Sequence, residues 1–404
     1  MTASSRLRGR LTAYLVPIAL ALAVAIGCKG KPVNRPPEHL VGKPWMNADG
    51  SPPSHDGDTD AVTGLSAVLA GQPPPVTPGR PINMLIMSGG GKYGAFTAGV
   101  LAGWTASGDR PTFDVATGIS SGAATAVLAF LGPKYDSRLA ANFTNIQRGD
   151  LYKLELFKGL FTKTGFFSSE PLEGRLGREI TPEFMCDMQA AHAAGRRVYV
   201  GTVEVLTNRF AIWDIGAIAS SGRPDAPVLI RKILLAACSP TGAVRPVELC
   251  VEINGKKYTE YHTDAGNMLQ AFVRTPAGIP PGSTAWVLSA GKFYRDPPRD
   301  PPKIISLVTG GVSNSLYALF RSDLVKLYAL CAVNRTEFRL LALPDDFRGA
   351  ASSFAFDPAE LAKLYWIGYQ LTAGRTEWRH APPDTLPGEA PPARTGLEYI
   401  VNPK

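Results

Sequence analysis

The sequence predicts an α/β layer fold. Two observations carry the prediction. An apolar run, a glycine-rich turn and a helix-spaced segment occur twice in succession, first from Ile82 and again from Phe113. Parallel strands joined by crossover helices produce that order. The chain is also long enough, at 404 residues with 45% hydrophobic content, to bury a sizeable core.

The chain opens on a targeting segment. Arg6, Arg8 and Arg10 precede the apolar run Leu11–Ile26, which only Thr12 and Pro17 interrupt. Sixteen residues are short for a membrane span, and basic-then-apolar order fits a secretory signal. The run ends in Ala25-Ile26-Gly27-Cys28, which resembles the lipobox of bacterial lipoproteins, with Ala25 where Leu is usual. Cys28 is the expected lipidation site, and the expected location is the bacterial cell envelope, on the outer-membrane or periplasmic side. Loss of residues 1–27 lowers the net charge from +8 to +5, which suits an anionic membrane surface as well as a solvated basic face. No basic cluster interleaves with aromatics, so nucleic acid is not indicated.

Residues 28–80 read as a Pro/Gly-rich tether, with Pro73-Pro74-Pro75 near its end and a short helix allowed at Ala61–Leu69. A globular domain follows over 81–345. A C-terminal helix and a Pro-rich tail take 346–404. Met84–Met87 is the first predicted strand, stopped by Ser88-Gly89-Gly90-Gly91. Tyr93, Phe96, Val100, Leu101 and Trp104 then recur at helical spacing up to Gly108. Phe113–Thr117 is a second strand, and Ala123–Leu131 is a helix stopped at Gly132-Pro133. Further strands are predicted at 198–205, 209–214, 257–262, 284–289 and 337–343. Helices are predicted at 315–331 and 358–371.

The first glycine turn, Gly89-Gly90-Gly91-Lys92-Tyr93-Gly94, satisfies G-x-G-x-x-G. A dinucleotide site needs an acidic residue at the end of the second strand. Asp114 lies at that strand's start, so the context fails. The second turn, Gly118-Ile119-Ser120-Ser121-Gly122, matches the G-x-S-x-G nucleophile elbow between a strand and a helix. A helix N-terminus aimed at such a turn favours an oxyanion. In adjacent parallel strands both turns lie at one sheet edge. The amides of Gly89, Gly90 and Gly91 can then face a substrate carbonyl above Ser120.

A serine nucleophile needs a base. His39 and His55 fall in the tether, and His192 sits in an Ala-rich helix-like segment. His262 and His380 remain open for a Ser-His-Asp arrangement. Asp264, in Tyr261-His262-Thr263-Asp264-Ala265-Gly266, ends a predicted strand and enters a small-residue turn. It is a base candidate or a plain turn aspartate. Cys186, Cys238, Cys250 and Cys331 form no C-x-x-C pair, so no metal site is expected and disulfide pairing is not readable.

Together Gly89-Gly90-Gly91, Gly118-Ile119-Ser120-Ser121-Gly122 and Asp264-Ala265-Gly266 resemble the patatin-like phospholipase family over roughly Ile82–Leu343. The resemblance implies a three-layer α/β/α sandwich with a central, mainly parallel sheet. It implies a Ser120–Asp264 dyad without histidine, with Gly89, Gly90 and Gly91 binding the oxyanion. The implied activity is lipid acyl ester hydrolysis without cofactor, on a membrane-bound lipid substrate. Two positions depart from the family pattern. Tyr93 stands where a basic residue is frequent, with Lys92 one position earlier. Ala265 stands where glycine is usual, and alanine disfavours positive φ. That departure and the tether motivate the alternative, a non-catalytic envelope module binding lipid or a partner. Phe157, Leu160, Phe161, Phe166 and Phe167 are candidates for an acyl-binding flap or for core.

Overall fold

Met84, Leu85, Ile86 and Met87 are all buried, and alternate residues feed two different cores. Leu85 and Met87 join one apolar cluster, and Met84 and Ile86 join the other. A strand buried on both faces belongs at the centre of a parallel sheet covered by helices, which is why this run carries no polar residue. It forms β1 (Asn83–Met87). The computed structural model describes residues 34–37, 76–154, 167–276, 278–297, 304–349, 352–386 and 388–389. The expected signal segment, Cys28, the helix at 61–69 and the flap residues Phe157, Leu160, Phe161 and Phe166 lie outside the described residues.

The remaining strands are β2 (Val115–Gly118), the two-residue pair β3 (Lys153–Leu154) and β4 (Phe167–Ser168), β5 (Arg197–Glu204), β6 (Arg209–Asp214), β7 (Val247–Ile253), β8 (Lys256–Asp264), β9 (Thr284–Leu288) and β10 (Glu337–Leu341). Among the described residues eight of them form one sheet in the order β10-β9-β1-β2-β5-β8-β7, with β6 also on β5. The run β10-β9-β1-β2-β5 is parallel throughout, while β6 and β8 pair antiparallel with β5.

The helices are α1 (Gly94–Ser107), α2 (Ser121–Leu131), α3 (Asp136–Thr144), α4 (Glu170–Glu179), α5 (Pro182–Ala193), α6 (Ile215–Ala219), α7 (Ala226–Ala237), α8 (Ile304–Val333) and α9 (Pro358–Thr372). Phe96 and Trp104 of α1, Leu128 of α2, Leu234 of α7 and Leu364 of α9 share one core with Leu85 and Met87. Phe320, Leu324 and Leu327 of α8 share the other with Met84 and Ile86. The fold is therefore a three-layer α/β/α arrangement around a mainly parallel sheet, as expected.

α9 lies unusually close to α1. A Cβ on Gly99 would sit 1.9 Å from the Tyr365 carbonyl oxygen, and one on Gly368 2.2 Å from that of Phe96. The Thr372 hydroxyl donates to the Val100 carbonyl at 2.7 Å.

The chain divides into two compact units, Met1–Pro44 with Cys250–Glu260, and Trp45–Leu249 with Tyr261–Lys404. In the first, Asn254 and Gly255 both adopt positive φ, as a two-residue hairpin turn requires. There the Thr259 amide donates to the Asn34 carbonyl at 2.8 Å. The second unit holds both glycine turns and every residue of the candidate site.

Candidate active site

Ser120 links β2 directly to α2, and this reversal from strand to helix fixes its backbone. Its φ of 54° and ψ of −129° are a conformation that side-chain-bearing residues rarely adopt. The turn is closed by the Gly122 amide on the Ile119 carbonyl at 2.8 Å and the Ala123 amide on the Ser120 carbonyl at 2.9 Å. A Cβ on Gly122 would lie 2.4 Å from the Ser88 carbonyl oxygen, so the second glycine of the elbow is required by the neighbouring turn. The first turn of α2 places the positive end of its dipole beside Ser120.

β1 and β2 are adjacent and parallel, so the Ser88–Gly91 turn and the Ser120 elbow share one edge of the sheet. The Ser88 amide donates to the Leu288 carbonyl at 3.1 Å, and its hydroxyl accepts from the Ala290 amide at 2.9 Å. These bonds press the loop against the segment after β9. A Cβ on Gly90 would fall 1.8 Å from the Ala290 carbonyl oxygen, a position no side chain can occupy. Gly89, Gly90 and Gly91 line the same cleft as Ser120. Lys92 does not. It is fully buried, with Nζ 2.8 Å from Glu360 Oε1 of α9, and it ties the loop to that helix. Tyr93 takes the place on the cleft wall. Lys92 therefore does not substitute for the basic residue frequent in the family.

Asp264 is the last residue of β8, opposite Thr202 in the register with β5. Its amide donates to the Ser239 carbonyl at 2.9 Å. The carboxylate accepts from the Gly266 amide at 2.8 Å and lines the same cleft as Ser120, whose hydroxyl favours its charged form. Burial pushes its pKa up to about 6, against the downward pull of the Ser120 hydroxyl and the Gly266 amide. Ala265 is fully buried and is absent from the positive-φ residues. The turn makes no demand that alanine cannot meet, and the Asp-Ala-Gly departure leaves Asp264 on the same cleft as Ser120.

The three described histidines lie elsewhere. His262 is buried in the sheet with Nδ1 3.1 Å from Thr202 Oγ1 and its ring edge-on to Trp213. His380 Nε2 is 3.0 Å from Arg339, and His192 Nδ1 is 3.8 Å from Asp214. None lines a cavity that reaches Ser120. The four described cysteines are free thiols. Among the described residues no three His, Cys, Asp or Glu side chains converge as a metal site requires.

Gln270 is a site residue that the sequence did not announce. Its amide N–H donates to buried Asp323 at 2.8 Å, and its side-chain amide donates to the Gly266 carbonyl. It thus holds the turn that orients Asp264, and it borders the cleft beside Gly89. The Ser289-Ala290-Gly291 run after β9 was likewise passed over. Its signal was present: small residues following an apolar strand, as in Ser88-Gly89.

Ser120 stands where two cavities meet. One is a cleft of about 560 Å³ bounded by the glycine loop, Asp264, Asn267, Gln270 and the α8 residues Val312 and Leu316. The other is a narrow apolar pocket of about 100 Å³ between α2, α4 and α7, walled by Val127, Leu128, Leu172, Leu176, Phe184 and Leu234. A nucleophile at the junction of a wide cleft of mixed lining and a narrow apolar pocket suits a substrate with a bulky end and a hydrocarbon arm.

Residues 85–274 match the patatin-like phospholipase family. The matched span contains both glycine turns and Asp264, and its α/β architecture agrees with that family. No curated protein matches the sequence. Among solved structures, the crystal structure of VipD from Legionella pneumophila is similar at 9% identity and a TM-score of 0.36, covering 73% of this chain and 66% of that one. At that distance the likeness bears on neither fold nor activity. The patatin-like segment begins inside β1 and ends after Phe272, so α8, α9 and the Ser353–Phe354 wall of the cleft lie outside it.

Proposed function

We propose that this protein is a serine acyl hydrolase of lipid esters, acting through Ser120 and Asp264. Ser120 Oγ attacks the ester carbonyl carbon while its proton passes to the Asp264 carboxylate. The amides of Gly89, Gly90 and Gly91 receive the charge that develops on the carbonyl oxygen, each donor contributing roughly 10²–10³ in rate. Collapse of the intermediate breaks the C–O bond, and Asp264 returns the proton to the departing alkoxide. Water, deprotonated by Asp264, then releases the acid from Ser120. The apolar pocket between α2, α4 and α7 receives the acyl chain, and the wider cleft receives the headgroup side.

The observation that carries this reading is a buried carboxylate, Asp264, on the same cleft as Ser120 of a strained elbow and the glycine loop. The test is a panel of phospholipid and short-chain acyl esters. Wild type turns over at least one class, while Ser120→Ala and Asp264→Asn lose turnover and remain folded. Equal turnover by Ser120→Ala defeats the proposal.

The N-terminal sequence supports a lipid anchor at Cys28 and a place in the bacterial cell envelope. Metabolic labelling with an alkynyl fatty acid in a bacterial host tests this. Label is expected on wild type and absent from Cys28→Ser, and label retained by Cys28→Ser contradicts it.

A further inference from the structure

The first half of α8 is apolar on its outward side. Ile304, Leu307, Val308 and Val312 are 80%, 60%, 64% and 61% exposed, and Leu316 continues the same stripe. Ile304, Val308, Val312 and Leu316 stand one turn apart, and the same row runs on into Phe320 and Leu324, which are buried. Isolated exposed apolar residues need no explanation, but a continuous stripe does. From Ile304 to Phe320 the helix carries no charged residue, over about 26 Å of axis. Among the described residues no helix is long and apolar enough to cross a membrane, so α8 is not a span.

The stripe runs into the site. Val312 and Leu316 both border the cleft over Ser120, and Phe354, itself exposed, stands at the same opening. Basic residues flank it. The Arg295 guanidinium packs against buried Gly310 on the inward side of this stretch, Arg321 follows the uncharged run, and residues 28–404 carry a net charge of +5.

We infer that the outward face of α8 over Ile304–Leu316 is a docking surface for a lipid–water interface, which seats the mouth of the Ser120 cleft against the bilayer. The inference rests on the lipid ester reading of that cleft. A helix of this kind lies in the interfacial plane with its apolar side among the headgroups and upper acyl chains, held also by attraction to anionic lipid. Substrate then enters the cleft along Val312 and Leu316 without passing through water.

Leu307 and Val308 lie on the stripe and do not border the cleft, so they separate docking from chemistry. The full chain is assayed on two substrates: a monomeric p-nitrophenyl butyrate, and phospholipid in mixed phosphatidylglycerol–phosphatidylcholine vesicles. The ratio of vesicle turnover to soluble-ester turnover falls about tenfold or more in L307E/V308E and is kept in L307I/V308I. An unchanged ratio in L307E/V308E overturns the inference. An equal fall in L307I/V308I overturns it too, because shape rather than apolarity is then at work. A wild-type dimer in sedimentation that L307E/V308E dissociates assigns the face to a second copy and overturns it as well. Should Ser120→Ala keep both turnovers, the reading of the site fails separately. Flotation of Ser120→Ala with the same vesicles then decides docking alone, and equal flotation of Ser120→Ala with L307E/V308E added overturns it.

Discussion

In the proposed mechanism Asp264, a buried residue at the wall of the cleft, has to be ionised. Burial raises its pKa to about 6, so near neutrality the carboxylate is charged yet basic enough to take a proton from Ser120. As the base it must be unprotonated, so kcat/KM rises with pH through an apparent pKa of about 6 and levels off above it. A flat profile from pH 5 to 8 contradicts that role. The same burial sets a stability cost. The folded state holds the proton more tightly than the unfolded chain, so this residue's contribution is intact below about pH 4 and is lost as pH rises through 6. At pH 8 the cost is roughly 3 kcal/mol. Asp264→Asn therefore abolishes turnover and raises Tm at pH 8, with little change in Tm at pH 4; thermal melts at the two pH values check this. Gln270 acts through that turn. Gln270→Leu lowers kcat by about tenfold or more with a smaller effect on KM, measured on a soluble ester. Ser120 stood out because a nucleophile elbow demands glycine at fixed offsets, whereas Asp264 stayed open as base or turn aspartate until the family resemblance paired it with Ser120. Gln270 was not legible, since a glutamine in an irregular segment obeys no such spacing.

Between elements, the contact of α1 with α9 is set by missing side chains. Gly99 meets the Tyr365 carbonyl and Gly368 meets that of Phe96, backbone against backbone. Gly99→Ala forces the helices apart and costs about 1–3 kcal/mol in chemical denaturation, more than an exposed glycine-to-alanine change. Because Lys92 ties the glycine loop to Glu360 of α9, the same variant lowers turnover. An unaltered midpoint contradicts this packing. Most strands of the sheet were readable as short apolar runs, and Arg209–Asp214 falls where the sequence puts it, whereas Val247–Ile253, with exposed Glu248 and Glu252, was not expected. The helices Asp136–Thr144 and Glu170–Glu179 were passed over because each buries only two large side chains. Ala226–Ala237 contains a run that reads equally as a buried strand or helix. α8 was expected to begin at Ser315. Gly310, Gly311 and β-branched neighbours weaken the local helix signal, yet the helix continues back to Ile304.

At the scale of the molecule, the sheet order brings the parts of the site together. β9 and β2 flank β1, and β5 carries β8, so the carboxyl ends of β1, β2 and β9 and the end of β8 converge on one cleft. The alternation of buried strands and helices foretold a layered α/β fold. The order β10-β9-β1-β2-β5 follows from long-range packing that no local pattern encodes. α8 closes one side of that cleft and turns an uncharged face outward, which joins the proposed chemistry to a lipid surface. All of this depends on Ser120 being an activated nucleophile. Reaction with a fluorophosphonate followed by peptide mass mapping tests that most directly. The account predicts a single adduct on the peptide containing Ser120, absent in Ser120→Ala and slowed at least a hundredfold in Asp264→Asn. An adduct on another residue, or equal labelling of wild type and Ser120→Ala, contradicts it.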